Sequence, residues 1–193
     1  MPNKKRKRPQ TMGKFKIAHI NVQKLAPHVV ELYRDLVLAG LPDIVGLAET
    51  CLPKHKESTI AIPGYKLHNH PSPNDTEGGV AFLTSENMTR QTTKVEPPNP
   101  TWHTVWLELH MGEKTIMAET YLTGALSETQ FAEALSSIKI NYLWYKSQGY
   151  EVILMGDYNV GMGEYVGDKT KGRNKIRTET FENFLATAQL APR

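Results

Sequence analysis

Cysteine is nearly absent. Cys51 is the one thiol in 193 residues, so no internal disulfide can form, and the chain suits a reducing compartment. No histidine stands in a recognisable partner pattern to it, and Cys51 is read as a filler thiol rather than a nucleophile. No apolar run approaches the roughly 20 residues that a membrane-spanning helix needs, which argues against a membrane partner. The basic N-terminus has no apolar stretch behind it and is not a secretory signal. Histidine runs out early: the last of seven is His110. No internal repeat and no second domain is visible.

What is present is ordinary for one folded domain, with 39% hydrophobic and 22% charged residues and a length that supports a real core. The net charge of +3 is unevenly placed. Residues 1–16 hold Lys4, Lys5, Arg6, Lys7, Arg8, Lys14 and Lys16 and no acid, which leaves 16 basic against 20 acidic residues over 17–193. Residues 1–14 are therefore expected to be a disordered basic tail, and 15–193 one domain. The run Lys4 to Arg8 followed by Pro9 resembles a single-cluster nuclear localisation signal, so the expected location is the nucleus, otherwise the cytoplasm. A solvated tail without a reader is the competing interpretation.

Past the tail, residues 15–21 (FKIAHIN) read as a short apolar strand ending in a polar residue. Val29, Val30, Tyr33, Leu36 and Val37 then recur at helical spacing over 26–39, stopped by Gly40 and Pro42. Residues 43–48 (DIVGLA) are apolar at almost every position, as in a strand covered on both faces. Five further strands are expected over 65–70, 79–83, 89–95, 102–110 and 114–121, with Met111-Gly112-Glu113 as a hairpin turn. Strands in succession without helices imply antiparallel pairing. Ser127 and Gln130 have the form of a capping box, opening a helix with Phe131, Leu135, Ile138, Tyr142 and Tyr145 on one face and a stop at Gly149. Residues 151–155 (EVILM) read as another doubly buried strand. A last helix is outlined by Phe181, Phe184, Leu185 and Ala188.

Three of the apolar strands end in residues suited to metal or phosphate chemistry: Asn21, Glu49 and Asp157. In open α/β sheets ligands bind at the carboxyl ends of strands, so three such strands lying side by side and parallel would bring these side chains to one rim. A hard divalent cation such as Mg²⁺ takes one or two carboxylates plus waters and substrate oxygens. Glu49 and Asp157 supply carboxylates, and the amides of Asn21 and Asn159 can bind metal or phosphate without adding charge. Taken singly, Glu49 is an acid at a strand end and Asp157-Tyr158-Asn159 a plain turn. Their joint occurrence in this order carries the argument.

The series Ile17-Ala18-His19-Ile20-Asn21, Asp43 to Thr50 (DIVGLAET), Gly78-Gly79-Val80-Ala81, Trp106-Leu107-Glu108-Leu109 and Gly156-Asp157-Tyr158-Asn159 resembles the endonuclease/exonuclease/phosphatase superfamily. Within it, the chain is most similar to the apurinic-like endonuclease domains of non-LTR retrotransposons. Lys171-Gly172-Arg173-Asn174 before the last helix resembles their arginine- and asparagine-containing loop. The resemblance implies an α/β fold in four layers, an α/β/β/α sandwich of the DNase I-like type. It also implies Mg²⁺-dependent (alternatively Mn²⁺-dependent) hydrolysis of DNA phosphodiesters, and a reverse transcriptase encoded in the same element as a partner. By position, Glu49 is the expected principal metal ligand, with Asn21 close to the metal. Asp157 would orient or activate water, Asn159 would hold the scissile phosphate, and Tyr121 would lie near that phosphate. Lys169, Lys171, Arg173, Lys175 and Arg177 form a basic strip that could contact DNA phosphates or remain solvated.

The chain departs from the family pattern twice. Leu122-Thr123-Gly124 follows Tyr121 where a proline-rich turn is usual. The family's closing Ser-Asp-His motif has no counterpart after Asn159, so the last strands are expected to be missing too. Among upstream histidines, His19, His68 and His70 are candidate substitutes, and packing or local hydrogen bonding accounts for each as well. Losing an acid–base group typically costs about 10²- to 10⁴-fold in rate, so weak or no activity is expected of this chain alone. Two rival functions follow: a catalytically impaired nucleic-acid-binding fragment, and a phospholipid or inositol phosphatase on the same fold.

Overall fold

In the computed structural model, which describes residues 15–72, 76–101, 103–160, 173–188 and 190, the apolar run Ile44–Ala48 (β2) is buried at every position. It lies inside a sheet because both of its edges are taken. On one side Ile17–Asn21 (β1) pairs with it in parallel, from Ile17 beside Ile44 to Asn21 beside Ala48. On the other side Val80–Ser85 (β4) pairs antiparallel and is itself flanked by Tyr65–His70 (β3), giving the order β1-β2-β4-β3. The helix Val29–Leu38 (α1) joins β1 to β2 and buries Leu32 and Leu36 against Val45, Leu47, Ala81 and Leu83 on the outer face of this sheet.

The second sheet has the order β5-β6-β7-β8. Thr92–Val95 (β5), Thr104–Leu109 (β6) and Thr115–Tyr121 (β7) pair antiparallel, and Glu151–Asp157 (β8) runs parallel to β7. The parallel step needs a crossover, and Glu128–Ser147 (α3) supplies it. Its expected capping box is formed: Gln130 N donates to Ser127 Oγ, and Ser127 N donates to Gln130 Oε1. All five residues expected on its apolar face are buried. Arg173–Thr187 (α4) packs beside α3, with Phe181 and Phe184 against Phe131 and Leu135. The space between the sheets is filled by Ile44, Ala48, Val80, Phe82, Val105, Leu107, Leu109 and Met117. Helix, sheet, sheet and helices thus make the four layers expected.

Three expectations change. The strand predicted from residue 89 begins at Thr92, because Glu86–Thr89 (α2) closes a helical turn in which Thr89 Oγ1 donates to the Ser85 carbonyl. Strand β8 is not doubly buried: Val152 to Asp157 are all half-exposed. Among the described residues β7 is its one neighbour, and an apolar sequence cannot bury itself without a second. Finally, the three polar-ended strands do not share a sheet. β1 and β2 lie in one and β8 in the other, so their ends meet across the sandwich rather than along a rim of one sheet. The basic tail of residues 1–14 lies outside the described residues.

Two histidines sit in the core and bear on stability. His68 Nε2 lies 3.0 Å from Thr84 Oγ1, and burial, with Lys66 and Lys94 nearby, pushes its imidazole down to about 4. Burial also pushes His103 down to about 4. In the unfolded chain both titrate near the ordinary value of about 6.5. As pH falls below that value the unfolded state takes up protons first, so this stability is complete above about 6.5 and is lost down to about 4. Going from pH 7.5 to 5 should cost about 2 kcal/mol or less per histidine. Urea midpoints at the two pH values should differ accordingly, and His68→Gln should shrink the difference; an equal loss in that variant would contradict it.

Candidate active site

The end of the sandwich where β1, β2 and β8 finish is tied together by backbone bonds that outrun the strands. Val22, Lys24 and Leu25 donate to the carbonyls of Ala48, Glu49 and Thr50, and Thr50 and Cys51 donate to Gly79 and Gly78. The path is strained. Gln23, Lys24, Glu49, Cys51 and Asn159 all have positive φ, between 44° and 82°. Each such conformation costs a non-glycine residue roughly 1–2 kcal/mol. Among the described non-glycine residues only Leu41 shares it elsewhere. Strain concentrated at one rim marks a place where side-chain direction matters more than backbone comfort.

Asn21 and Asp157 meet across the two sheets. Asn21 donates through Nδ2 to Asp157 Oδ2 at 3.0 Å, and its Oδ1 accepts from Gln23 N at 3.2 Å. The other Asp157 oxygen accepts from Asn159 N at 2.9 Å, so both carboxylate oxygens have defined partners. Asn159 Nδ2 donates to the Leu122 carbonyl at 3.0 Å, tying the loop after β8 to the end of β7. Tyr158, between them, turns toward α4, where its ring centroid lies 4.7 Å from that of Phe181. Tyr121 stands beside Asp157 in the β7–β8 register. Burial raises its phenol, and the carboxylates of Glu49 and Asp157 raise it further, so both acids lie within electrostatic reach of this tyrosine. Asn21, Glu49, Tyr121, Asp157 and Asn159 are therefore brought to one rim.

Glu49 is half-exposed and its carboxylate has no hydrogen-bond or ion-pair partner among the described residues. Among those residues, no three His, Cys, Asp or Glu side chains converge on one point. That donor set does not suit a closed zinc cage. It does suit a hard cation held by one carboxylate, a neighbouring amide oxygen, waters and substrate oxygens.

The basic strip is described only in part. Lys169 and Lys171 lie outside the described residues. Arg173 opens α4. Lys175 is exposed and 3.7 Å from Glu179. Arg177 is buried: it donates to the Leu126 carbonyl and its guanidinium lies 5.0 Å over the Phe131 ring, which makes it a packing residue. His68 is committed to the core, and His70 is half-buried with its imidazole lowered by burial.

Sequence reasoning passed over Glu119. It is fully buried in the middle of β7, and its Oε1 lies 3.0 Å from His19 Nδ1 across the sandwich. The Glu119 carboxylate, at ion-pair distance, raises the His19 imidazole, while burial raises the Glu119 carboxyl. Both shifts say that the pair keeps a proton to higher pH than either group alone. The available signal was an acid at the centre of an otherwise apolar strand, TIMAETY.

Gly156 allows β8 to approach β7. Its φ is 138°, and a Cβ there would overlap the backbone of Thr120. Gly156→Ala should cost at least about 2 kcal/mol, from strain plus a clash that backbone cannot relieve. Gly124→Ala, with open space around it, is the comparison. Equal urea midpoints for the two variants would refute this.

Two mixed sheets packed face to face, helices outside, and an acid–amide rim built from strand ends of both sheets define a DNase I-like α/β fold. The Endonuclease/Exonuclease/phosphatase family profile matches residues 18–189, and the chain belongs to that family. Among solved structures it is similar to the AP endonuclease LMAP from Leishmania major (TM-score 0.72, 14% identity, 90% of this chain and 66% of that one). It is also similar to the 3' phosphatase NExo from Neisseria bound to a product DNA hairpin (TM-score 0.66, 17% identity, 90% and 71%). An AP endonuclease from Archaeoglobus fulgidus gives TM-score 0.66 at 15% identity, covering 90% and 71%. The chain thus spans 66% of the length of the Leishmania protein. No curated protein sequence matches it significantly.

Proposed function

We propose that this rim hydrolyses DNA phosphodiesters with Mg²⁺ or Mn²⁺, in the manner of a retrotransposon endonuclease. The observation that carries the reading is the Asn21–Asp157 bond across the sheets, with Tyr121 and Glu49 at the same rim. Glu49 would hold the cation, with Asn21 beside it. When bound, the cation would polarise a phosphate oxygen and offset developing charge. Asp157, its direction fixed by Asn21 and Asn159, would accept the proton of an attacking water. The second Nδ2 proton of Asn159 and the Tyr121 hydroxyl would orient the phosphate. The similar structures include a 3' phosphatase bound to a product DNA hairpin, which supports DNA as the substrate class, and the order of the motifs supports the retrotransposon type. A nuclear location and a reverse transcriptase partner belong to the same proposal.

A second reading has its own support. The chain has no histidine after His110, so an imidazole at the phosphate must come from outside these motifs or be lacking, and binding without efficient turnover would follow. Supercoiled plasmid with the full chain, with Mg²⁺ or with EDTA, tests the first reading. Nicking that needs the metal supports it. Salt-sensitive DNA binding with no metal-dependent nicking would support the second instead.

A further inference from the structure

The pair His19–Glu119 lies one pleat below Asn21–Asp157. Side chains two residues apart on a strand share a face, so His19 and Asn21 project together from β1. Glu119 and Tyr121 do so from β7, where Tyr121 registers with Asp157. The two sheets are thus joined at this edge by two stacked polar contacts, of 3.0 Å each.

β1 needs such a tie. Among the described residues β2 is its one neighbour. Its inward-facing residues Ile17, His19 and Asn21 are all exposed, whereas every residue of β2 and β7 is buried. Apolar packing therefore does little to fix the inward face of β1 against the second sheet.

Glu119 is a poor choice for packing alone. It is 0% exposed, its partner among the described residues is His19, at ion-pair distance, and neither carboxylate oxygen meets the geometry of a hydrogen bond. Burying a carboxylate so sparsely partnered is costly, and an apolar side chain of similar size would stabilise the fold more. Gly46 is equally unfavourable for the centre of a strand, yet a Cβ at 46 would overlap the Glu119 carboxylate. Each residue is explained by the other: Gly46 leaves the space, Glu119 fills it, and the carboxylate gives His19 a fixed direction.

We propose that Glu119 and His19 are positioning residues that hold the end of β1 so that Asn21 meets Asp157. This rests on the phosphodiesterase reading of the rim, but its consequence can be read without catalysis. In the ¹⁵N-labelled full chain, the Asn21 side-chain amide, identified by its loss in Asn21→Ser, should show one proton shifted downfield and slow to exchange. In His19→Ala and Glu119→Ala that shift should collapse and exchange should quicken at least tenfold. Glu119→Gln keeps an oxygen for the His19 Nδ1–H and should retain most of both. His19 is 32% exposed at a strand edge, so His19→Ala should fold even where Glu119→Ala does not.

An unchanged Asn21 amide in folded His19→Ala overturns the proposal, and so does a lowered melting midpoint with that signal intact. Where the parent nicks plasmid, His19→Ala should lower kcat about tenfold at unchanged KM, since small misplacements of a catalytic group act on turnover. A loss confined to KM would also overturn it. A parent that shows the shifted Asn21 amide, loses it in His19→Ala and yet never nicks DNA would refute the cleavage reading and leave the positioning intact.

Discussion

Asp157→Asn should lower metal-dependent plasmid nicking by about 10²- to 10⁴-fold, the usual range for losing a general base. The reason is visible in the hydrogen bonds. Both partners of Asp157 are donors, Asn21 Nδ2 and Asn159 N. An asparagine at 157 can offer its oxygen to one of them and must turn its own NH₂ toward the other. If Asn21 flips to accept, its NH₂ then faces Gln23 N, which now donates to Asn21 Oδ1. No arrangement of the two amides keeps all three bonds. The substitution therefore removes the base and loosens the rim together, at almost no change in side-chain volume. Nicking by Asp157→Asn at the parental rate would sink the role given to Asp157.

Glu49 gives the second large effect, with an opposite sign for stability. Glu49→Gly should abolish metal-dependent nicking, because the carboxylate proposed to hold the cation is gone. The fold should not suffer. Glu49 has φ 55°, a conformation that costs a side-chain-bearing residue roughly 1–2 kcal/mol and glycine almost nothing. Its carboxylate has no partner among the described residues to lose. Glycine's greater freedom in the unfolded chain offsets part of the gain, so the urea midpoint should stay level or rise. Calorimetric titration with Mn²⁺ should show the heat of binding lost. A variant that unfolds more easily while still cleaving would contradict both halves of this expectation.

Much of the fold was legible because local signals were strong. The unbroken apolar run of β2, the Ser127–Gln130 capping box and the alternation in β6 each have one physical interpretation. Strand β8 was misjudged because its apolar run is indistinguishable from that of β2. Composition reports what a strand's faces tolerate, not whether a neighbour occupies each edge. For the same reason the meeting of Asn21 with Asp157 was foreseen but its route was not: strand ends are visible in a sequence, membership of a sheet is not. Arg177 could have been placed. It falls at helical spacing with Phe181, Phe184 and Ala188, all buried, so it belongs to the packed face of α4 rather than to a phosphate-binding strip. Glu119 and Gly46 were harder, because each makes sense only with the other, and they lie far apart in the chain.

The half-exposed strand β8 has a consequence for how the protein behaves in solution. Alternate N–H groups of a strand point to opposite sides, and among the described residues only the side facing β7 is met by a partner. Among the described residues, half of the amides of one of the most apolar segments of the chain therefore have no strand partner. Deuterium uptake along Val152 to Met155 should alternate between fast and slow, residue by residue. That same row beside Ile153 and Met155, which no described strand pairs, is where a further backbone would add. Concentrated stocks should associate through it, and a lysine placed on this strand should keep them dispersed.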